Sequence, residues 1–330
     1  MYHYRFHLSK LARRQIKSPI EEPIMDVMST IESQDASNLR IDLHSHTTYS
    51  DGSLSPQELV ERANNFQIDV LAITDHDTVS ALDIAKNYIN EKNYALHLIN
   101  GIEISTAWQG FEIHIVGLNI DPTHPALLKL IASQQLARED RATRMGQKLS
   151  KCGFDGIYDK AKILANGGSI TRAHFAKVLL QQGSIAKMQT AFDKYIGKGQ
   201  RAYVNPTWCS IADAIEAIQL AGGTAVMAHP VRYDLSTKWL RRLVIEFKEA
   251  GGNGLEIVLP QMSNDQRKLM LSFCLEYKLH ASMGSDFHHP YNKWSDLGRN
   301  LRMPEQALPI WSLWGNSPLQ ANELSPLNSQ

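Results

Sequence analysis

The chain has 330 residues, of which 34 are Lys or Arg and 34 are Asp or Glu, so its formal net charge is zero. This balance excludes a global field that attracts nucleic acid, and any anion-binding patch must be local. Hydrophobic residues make up 43% and charged residues 21%, as in ordinary globular proteins, and no apolar run approaches the roughly 20 residues needed to span a bilayer.

The cysteines and the beginning of the chain indicate a cytoplasmic protein. Cys152, Cys209 and Cys274 are scattered without metal-like spacing, which fits a reducing compartment. The basic start "MYHYRFHLSKLARRQIK" lacks a continuous apolar core, so we do not expect a secretion signal. We expect residues 1–39 to form a flexible extension; a surface-binding amphipathic segment is the alternative.

From residue 40 the pattern alternates between strands and helices. The predicted strands are "RIDLHSH", "DVLAITDHD", "LHLINGIEIS" and "FEIHIVGLNI", and the predicted helices are "SPQELVERANNF" and "VSALDIAKNYINEK". The first helix carries a strong start signal, because Ser55 can cap it, Pro56 takes the first helical position and Glu58 the third.

Residues 122–205 interrupt this rhythm with helical patterns alone. The segments are "HPALLKLIASQQLAREDRATRMGQKLSKCG", "YDKAKILANGG", "TRAHFAKVLLQQG" and "MQTAFDKYIGKG". A stretch of this length is too long for an ordinary loop, so we interpret it as a helical insertion.

Alternation resumes after the insertion and predicts the fold. Helices over "SIADAIEAIQLAGG", "TKWLRRLVIEFKEAGG" and "SNDQRKLMLSFCLEYK" alternate with strands over "TAVMAHP", "GLEIVL" and "HASMGSDFHHP". About seven strands alternating with helices indicate an α/β protein whose mostly parallel sheet closes, or nearly closes, into a barrel. The domain would cover residues 40–303, followed by a tail over residues 304–330.

Polar, metal-ligating residue types recur where these strands end, which is where α/β barrels carry their chemistry. They are His44 and His46 with Asp51 in the next loop, Asp75 and His76, Glu103, His114, His229, Asp286 and His288. His44 and His46 are two residues apart on a strand, so their side chains share a face. Neutral imidazoles and carboxylates held from several directions are what a multi-metal site requires.

Each of these residues alone has a plainer explanation. A single histidine after a strand is usually a hydrogen-bonded turn residue, and Asp51-Gly52 is by itself a turn signal. His114 lies inside a strand rather than at its end. The remaining histidines have no comparable context and are expected on the surface or in loops.

The segments "DLHSHTTYSDGSLSPQELV", "VLAITDHDTV", "GIEIS", "IHIVG", "AHP" and "GSDFH" together resemble the PHP (polymerase and histidinol phosphatase) family of metal-dependent phosphoesterases. Within that family, "HTTYSDG", "TDHDTV", "ITRAHFA" and "YIGKGQRAYV" are most similar to the RNase AM and 3′,5′-nucleoside bisphosphate phosphatase branch. The missing glycine in "NNFQIDV" and the long N-terminal extension depart from the family pattern, and neither touches the expected site.

The resemblance implies a distorted seven-stranded barrel that holds three divalent metal ions. The first ion would bind His44, His46, Glu103 and Asp286; the second would share Glu103 and add His114 and His229; the third would bind Asp51, His76 and His288. The mixed ligand set suits Mn²⁺, Fe²⁺ or Zn²⁺, and we favour Mn²⁺. Asp75 is expected to orient a ligand or move a proton, with a turn cap as the alternative.

The metals alone do not select the substrate, so other cations must hold a second phosphate or a following nucleotide. Arg172 with His174, and Arg201, lie in the insertion and are the candidates, because arginine binds phosphate through a bidentate fork. A solvated surface charge is the alternative for each.

The favoured activity is removal of the 3′-phosphate from 3′,5′-nucleoside bisphosphates, or 5′-to-3′ exonuclease action on short 5′-phosphorylated RNA. The partners would then be a nucleotide or short RNA, with no membrane and no stable protein partner. One alternative is a phosphatase for a non-nucleotide monoester such as histidinol phosphate, against which Asp51 argues, because similar histidinol phosphatases often carry histidine there. The other alternative is a non-catalytic metal-binding module.

Overall fold

The computed structural model describes residues 39–291 and 294–315, so the extension expected over residues 1–39 lies almost entirely outside the described residues. The centre of the molecule is a mixed sheet of eight strands. The strands are β1 Ile41–Asp42, β2 Val70–Ile73, β3 His97–Trp108, β4 Phe111–Leu118, β5 Cys209–Ser210, β6 Thr224–Met227, β7 Gly254–Val258 and β8 His280–Met283.

The sheet nearly closes into a barrel, as the sequence predicted. Seven strands follow the order β1-β2-β3-β4-β6-β7-β8, and the short β5 pairs with β3. The Leu43 amide donates to the Met283 carbonyl at 3.1 Å, and Ser45 forms a parallel bridge with Phe287. The chain after β1 therefore meets the chain after β8, which brings the ends of the first and last strands together.

One strand departs from the parallel arrangement that the alternating pattern predicts. β4 runs antiparallel to both β3 and β6. The reason is local: β3 and β4 are joined by Gln109 and Gly110, both with positive φ, at 49° and 77°. Two successive left-handed residues form the tight hairpin turn that suits twisted antiparallel strands.

The helices pack around the sheet and in the insertion. They are α1 Pro56–Asn65, α2 Leu82–Lys92, α3 Pro125–Lys151, α4 Ile157–Ala165, α5 Arg172–Gln181, α6 Met188–Ala191, α7 Ile211–Leu220, α8 Thr237–Glu249 and α9 Asn264–Tyr277, with a π-helical turn at Phe192–Ile196 and 3-10 turns at Pro230–Arg232 and Ile310–Leu313. The start of α1 is as predicted, since Ser55 and Glu58 form a reciprocal capping box ahead of Pro56. In the described part of the chain, no helix combines the length and hydropathy needed to cross a bilayer.

Helices α3 to α6 form a unit with its own hydrophobic core between β4 and β5. A buried ion pair joins this unit to the barrel: Arg138 on α3 donates from Nε to Asp77 Oδ2 at 2.7 Å. The Ser169 amide also donates to the Tyr49 carbonyl at 2.7 Å. The insertion is therefore attached to the loops that follow β1 and β2.

The packed unit continues past residue 303, where the sequence placed the domain boundary. The Ala281 amide in β8 donates to the Leu308 carbonyl at 2.7 Å, and Ile310 and Trp311 are buried in the barrel's hydrophobic core. Residues up to at least 314 therefore belong to the folded domain.

Candidate metal centre

The structure brings the nine predicted ligand residues together in one cluster, with Glu103 and His114 inside β3 and β4 and the other seven in the segments that follow strands. These residues are His44, His46, Asp51, His76, Glu103, His114, His229, Asp286 and His288. His229 and Asp286 follow β6 and β8 in left-handed backbone conformations, with φ of 32° and 51°. Such conformations cost energy in non-glycine residues and concentrate at functional sites. The local backbone is thus bent to aim these two side chains inward.

Glu103 lies at the centre of the cluster, fully buried at the middle of the long strand β3. Its Oε1 is 3.0 Å from His114 Nδ1 and 3.0 Å from His229 Nε2. Its Oε2 is 3.4 Å from His44 Nε2, 3.3 Å from His46 Nε2 and 3.0 Å from His76 Nδ1. One carboxylate thus faces five imidazoles, three on one oxygen and two on the other.

The pair that opens the cluster, His44 and His46, points its two Nε2 atoms at one position. These atoms are 3.1 Å apart. Asp286 Oδ1 lies 3.4 Å from the first and 3.2 Å from the second. Two imidazole nitrogens and two carboxylate oxygens, from Glu103 and Asp286, therefore converge within the space that one metal ion would need.

Asp51, His76 and His288 form the outer side of the cluster. Asp51 Oδ1 lies 3.7 Å from His76 Nε2 and 3.3 Å from His288 Nε2. The three closely spaced donor groups of the described residues are His46–Asp51–His76–His288, His44–His46–Asp286 and His76–Glu103–His114. His229 is in none of these groups, although its Nε2 contacts Glu103.

The unpaired polar atoms test whether this donor set fits metal ions. Asp51 Oδ1, His76 Nδ1 and Glu103 Oε2 are buried atoms without a hydrogen-bond partner. His76 Nδ1 and Glu103 Oε2 face each other at 3.0 Å yet lack hydrogen-bond geometry. Because buried polar groups are normally satisfied, atoms that converge without bonding one another fit cation coordination.

The charged groups of the cluster shift the pKa values of one another. Burial alone would lower the pKa of His114 and His288, but neighbouring carboxylates raise each pKa to about 10. Burial alone would raise the pKa of Glu103, but the surrounding imidazoles hold it well below its usual range. The carboxylates therefore remain ionised at neutral pH, and a cation in their midst would be attracted to them.

Glu256 is the main residue that the sequence analysis missed. It lies in the buried strand β7, and its Oε1 is 2.7 Å from His44 Nδ1. Its Oε2 accepts the His229 amide at 2.6 Å. A carboxylate on the far nitrogen of an imidazole fixes the ring and leaves the other nitrogen free for a metal. The available signal was a single acidic residue inside the otherwise apolar "GLEIVL".

Asp75 orients the loop after β1. Its carboxylate accepts hydrogen bonds from the Thr47 amide at 2.8 Å, the Thr47 hydroxyl at 2.6 Å and the Ser50 hydroxyl at 2.6 Å. Ser50 Oγ is in turn 3.3 Å from His46 Nδ1. Since the Ser50 proton is donated to Asp75, its oxygen is available to accept from His46, which directs His46 Nε2 toward the cluster.

The arginine Arg232 and the glycine Gly52 complete the cluster's surroundings. Arg232, which the sequence analysis also missed, pairs with Asp286 Oδ2, so that Oδ1 faces the histidines.

Gly52 lets its loop fold tightly, because a Cβ there would meet the His46 carbonyl oxygen at 2.3 Å. The turn signal at Asp51-Gly52 and the proposed ligand role of Asp51 are therefore compatible.

The three predicted substrate residues lie in the insertion and differ in surroundings. Arg172 begins α5 and donates from Nη2 to Glu112 Oε2 at 3.0 Å. His174 is buried, and its Nδ1 accepts the Thr171 amide at 3.0 Å. Arg201 is exposed in the loop before β5. Arg172 is linked to the cluster through Glu112, whose Oε1 is 3.9 Å from His114 Nε2, and burial lowers the pKa of His174 although the nearby Asp51 carboxylate opposes the shift.

Comparisons with known proteins agree with this geometry. The family model for the PHP domain matches residues 42–207 of this chain. A 5′-3′ exoribonuclease of Haemophilus influenzae is 46% identical over 272 residues, which cover 82% of this chain and 98% of the relative. A 3′,5′-nucleoside bisphosphate phosphatase of Chromobacterium violaceum is 39% identical, covering 82% of this chain and 95% of the relative.

A solved structure is similar in fold as well. An amidohydrolase from Chromobacterium violaceum with bound sulfate and no metal superposes with a TM-score of 0.78 at 38% identity, covering 83% of this chain and 95% of that one. The barrel, the convergence of His, Asp and Glu side chains and these likenesses together place the chain in the PHP family.

Proposed function

We propose that the protein is a metal-dependent phosphoesterase that removes the 3′-phosphate from 3′,5′-nucleoside bisphosphates, degrades short 5′-phosphorylated RNA from its 5′ end, or does both. The observation that carries the proposal is the buried Glu103 carboxylate facing five imidazoles. The relatives that are exoribonucleases or a bisphosphate phosphatase support this substrate class.

We propose three divalent ions, with Mn²⁺ favoured over Fe²⁺ or Zn²⁺. His44, His46, Glu103 and Asp286 would hold the first ion, Glu103, His114 and His229 the second, and Asp51, His76 and His288 the third. Divalent ions bound there would neutralise phosphoryl oxygens and lower the pKa of water from about 15.7 toward 7.

The chain's own residues prepare the site for this chemistry. Glu256 holds His44, Asp75 acts through Ser50 on His46, and Arg232 holds one oxygen of Asp286. Each of these contacts fixes a ring or carboxylate before substrate arrives, and such outer contacts typically matter 10- to 100-fold for metal affinity or activity. Asp75 is therefore proposed as a positioning residue.

We propose that residues of the insertion contribute to recognition of the substrate. Arg172, partly exposed and next to the Glu112–His114 contact, is proposed to reach a second phosphate. Arg201 is proposed to contact the following nucleotide, and His174 to support the loop rather than the ligand directly, because its ring is buried. The unpaired cysteines fit a reducing cytoplasm, which we propose as the compartment.

The experiment that tests the proposal offers three substrates side by side to Mn²⁺-reconstituted protein. They are adenosine 3′,5′-bisphosphate, a short 5′-phosphorylated RNA and histidinol phosphate. We expect hydrolysis of the first two to exceed that of histidinol phosphate. Preference for histidinol phosphate would support the monoester alternative, and no hydrolysis of any of them would support a non-catalytic metal-binding module.

A further inference from the structure

We propose that the cavity beside the metal cluster binds the part of the nucleotide that carries the phosphate not being hydrolysed, and that Arg232 contacts this spare phosphate. This inference rests on the proposed nucleotide substrate and moves the main phosphate contact from the insertion to the barrel. It follows from the position of the cavity and from what Arg232 and Arg172 each contact.

The cavity adjoins the cluster directly. Its volume is about 480 Å³, and Asp286 and His288, two proposed metal ligands, line one side of it. Small-molecule sites are typically about 300–1,000 Å³, whereas a lone phosphate needs far less space. A molecule that reaches from the metals into this cavity would therefore be larger than the phosphoryl group being cleaved.

Another part of the cavity lining can contact a nucleoside. Met262, partly exposed, supplies apolar surface beside the buried Leu259 and Pro260, and Gln261 and Gln266 supply amide groups. The wall is held in place, because the Leu259 amide contacts Met262 Sδ at 3.3 Å and Gln266 Oε1 accepts the Ser263 amide at 2.9 Å. Fixed amide groups beside a smaller apolar surface can hold a sugar and a base without requiring a particular sequence.

Arg232 is placed to bind an anion in this cavity. It lines the cavity, its side chain is 44% exposed, and it pairs with Asp286 on the cluster side. A guanidinium has five N–H donors, so a carboxylate partner leaves donors that can reach a phosphate. The 3-10 turn Pro230–Arg232, which follows His229, sets its position.

Arg172 is less available than Arg232. Its guanidinium contacts Glu112, which also accepts from the Trp208 Nε1 at 3.0 Å and pairs with Arg141 at 3.3 Å. A phosphate would have to compete with that carboxylate. Asp286 also holds Arg232, but its other oxygen is directed at the metal cluster, so metal binding there would weaken its hold on the arginine.

Competitive inhibition of the hydrolysis of a substrate that has no spare phosphate tests the proposal. The hydrolysis of p-nitrophenyl phosphate would be measured with Mn²⁺-loaded wild type, Arg232→Gln and Arg232→Lys, each with AMP or inorganic phosphate added as competitor. AMP keeps a 5′-phosphate and its nucleoside, whereas inorganic phosphate can only imitate the cleaved group. Arg241→Gln is the matched control, since Arg241 is a surface arginine paired with Glu276 outside the cavity.

We expect Arg232→Gln to raise the inhibition constant of AMP by about 10- to 100-fold, the value of one charge-assisted contact. The inhibition constant of inorganic phosphate should change little. The inhibition constant of AMP should lie between those of wild type and Arg232→Gln in Arg232→Lys, and it should equal the wild-type value in Arg241→Gln. Metal content and thermal melting, measured on every variant, separate lost binding from lost folding, and the lysine variant keeps the charge if the glutamine variant unfolds.

Equal increases for AMP and inorganic phosphate would overturn the proposal, because Arg232 would then act only through Asp286. Unchanged AMP inhibition would overturn it as well. Failure of the nucleotide function itself looks different: the wild type would hydrolyse p-nitrophenyl phosphate but not adenosine 3′,5′-bisphosphate.

Discussion

The barrel and the helical insertion both bring charged residues toward the same centre, but they use them differently. On the barrel, the buried Glu256 holds His44 and Arg232 holds Asp286, so that His44 Nε2, Asp286 Oδ1 and Glu103 Oε2 face a common point. In the insertion, three arginines face carboxylates of the barrel: Arg138 binds Asp77, and Arg141 and Arg172 bind Glu112.

The arginines of the insertion therefore serve first to attach the insertion to the barrel. The Arg138–Asp77 pair is almost fully buried, so loss of one partner would leave an uncompensated charge. Glu112 shares its two oxygens among two arginines and a tryptophan. We infer that the chemistry depends on the barrel side, and that insertion residues tune it.

The largest effect should come from the barrel's central carboxylate. Glu103→Gln removes the charge that faces five imidazoles, so we expect activity to fall by more than about 100-fold, the upper end for outer partners of metal ligands. Metal content should fall with it, measured by elemental analysis. Asp51→Asn, which touches only the outer group, should cost less; the reverse order would show that Glu103 does not bridge sites. Glu276→Gln on the surface is the matched control.

A smaller loss is expected at the residue behind His44. Glu256→Gln keeps the shape but removes the charge that orients the imidazole, so metal affinity should fall about 10- to 100-fold. Competition with a chelator measures this affinity directly. Wild-type affinity in the variant would mean that the 2.7 Å contact with His44 is not part of the metal site.

The insertion side should respond more weakly than the barrel side. Arg172→Ala removes a guanidinium already paired with Glu112, so kcat/KM for adenosine 3′,5′-bisphosphate should fall by no more than about tenfold, or about 1.4 kcal/mol. Activity on p-nitrophenyl phosphate should change less. A loss on the bisphosphate that exceeds the loss in Arg232→Gln would reverse the comparison between the two regions.

The last comparison concerns pH and the protein stripped of metal. The pKa values of His114 and His288 are about 10 in the folded chain, above the unfolded value of about 6.5. Groups with raised pKa values stabilise the fold fully below the unfolded pKa and lose this contribution as pH rises through the folded pKa. The melting temperature of the chelated protein should therefore decrease as the pH is raised from about 6.5 to about 10.

Comparison of His114→Gln with wild type isolates the titration of His114 from that of other groups that deprotonate near pH 10. The variant's melting temperature should depend less on pH than that of wild type across the same window. Mn²⁺ should flatten the wild-type profile too, because ligating histidines are unprotonated at every pH in the window. A chelated wild type whose stability rises with pH would contradict the assigned charges.

Much of the site was predictable from sequence because strand ends of a barrel meet at one place. His44, His76 and Asp286 could be brought together on that rule alone. The antiparallel β4 was not recognised, although the Gln109-Gly110 turn could have indicated it. Partners of the ligands were not predictable: Glu256 is 212 residues from His44, and Arg172 is 60 residues from Glu112. The acidic residue inside the apolar "GLEIVL" marked Glu256, but the local pattern does not identify the partner that it meets in the closed barrel.

The metal dependence of hydrolysis tests the central claim most directly. Purified protein is stripped with a chelator, its metal content is measured, and activity on adenosine 3′,5′-bisphosphate is followed as Mn²⁺ is returned. We predict no hydrolysis by the stripped protein and recovery that rises with bound metal to about three ions per chain, the number that the proposed ligand groups imply. Full hydrolysis by protein shown to contain no metal would contradict the account.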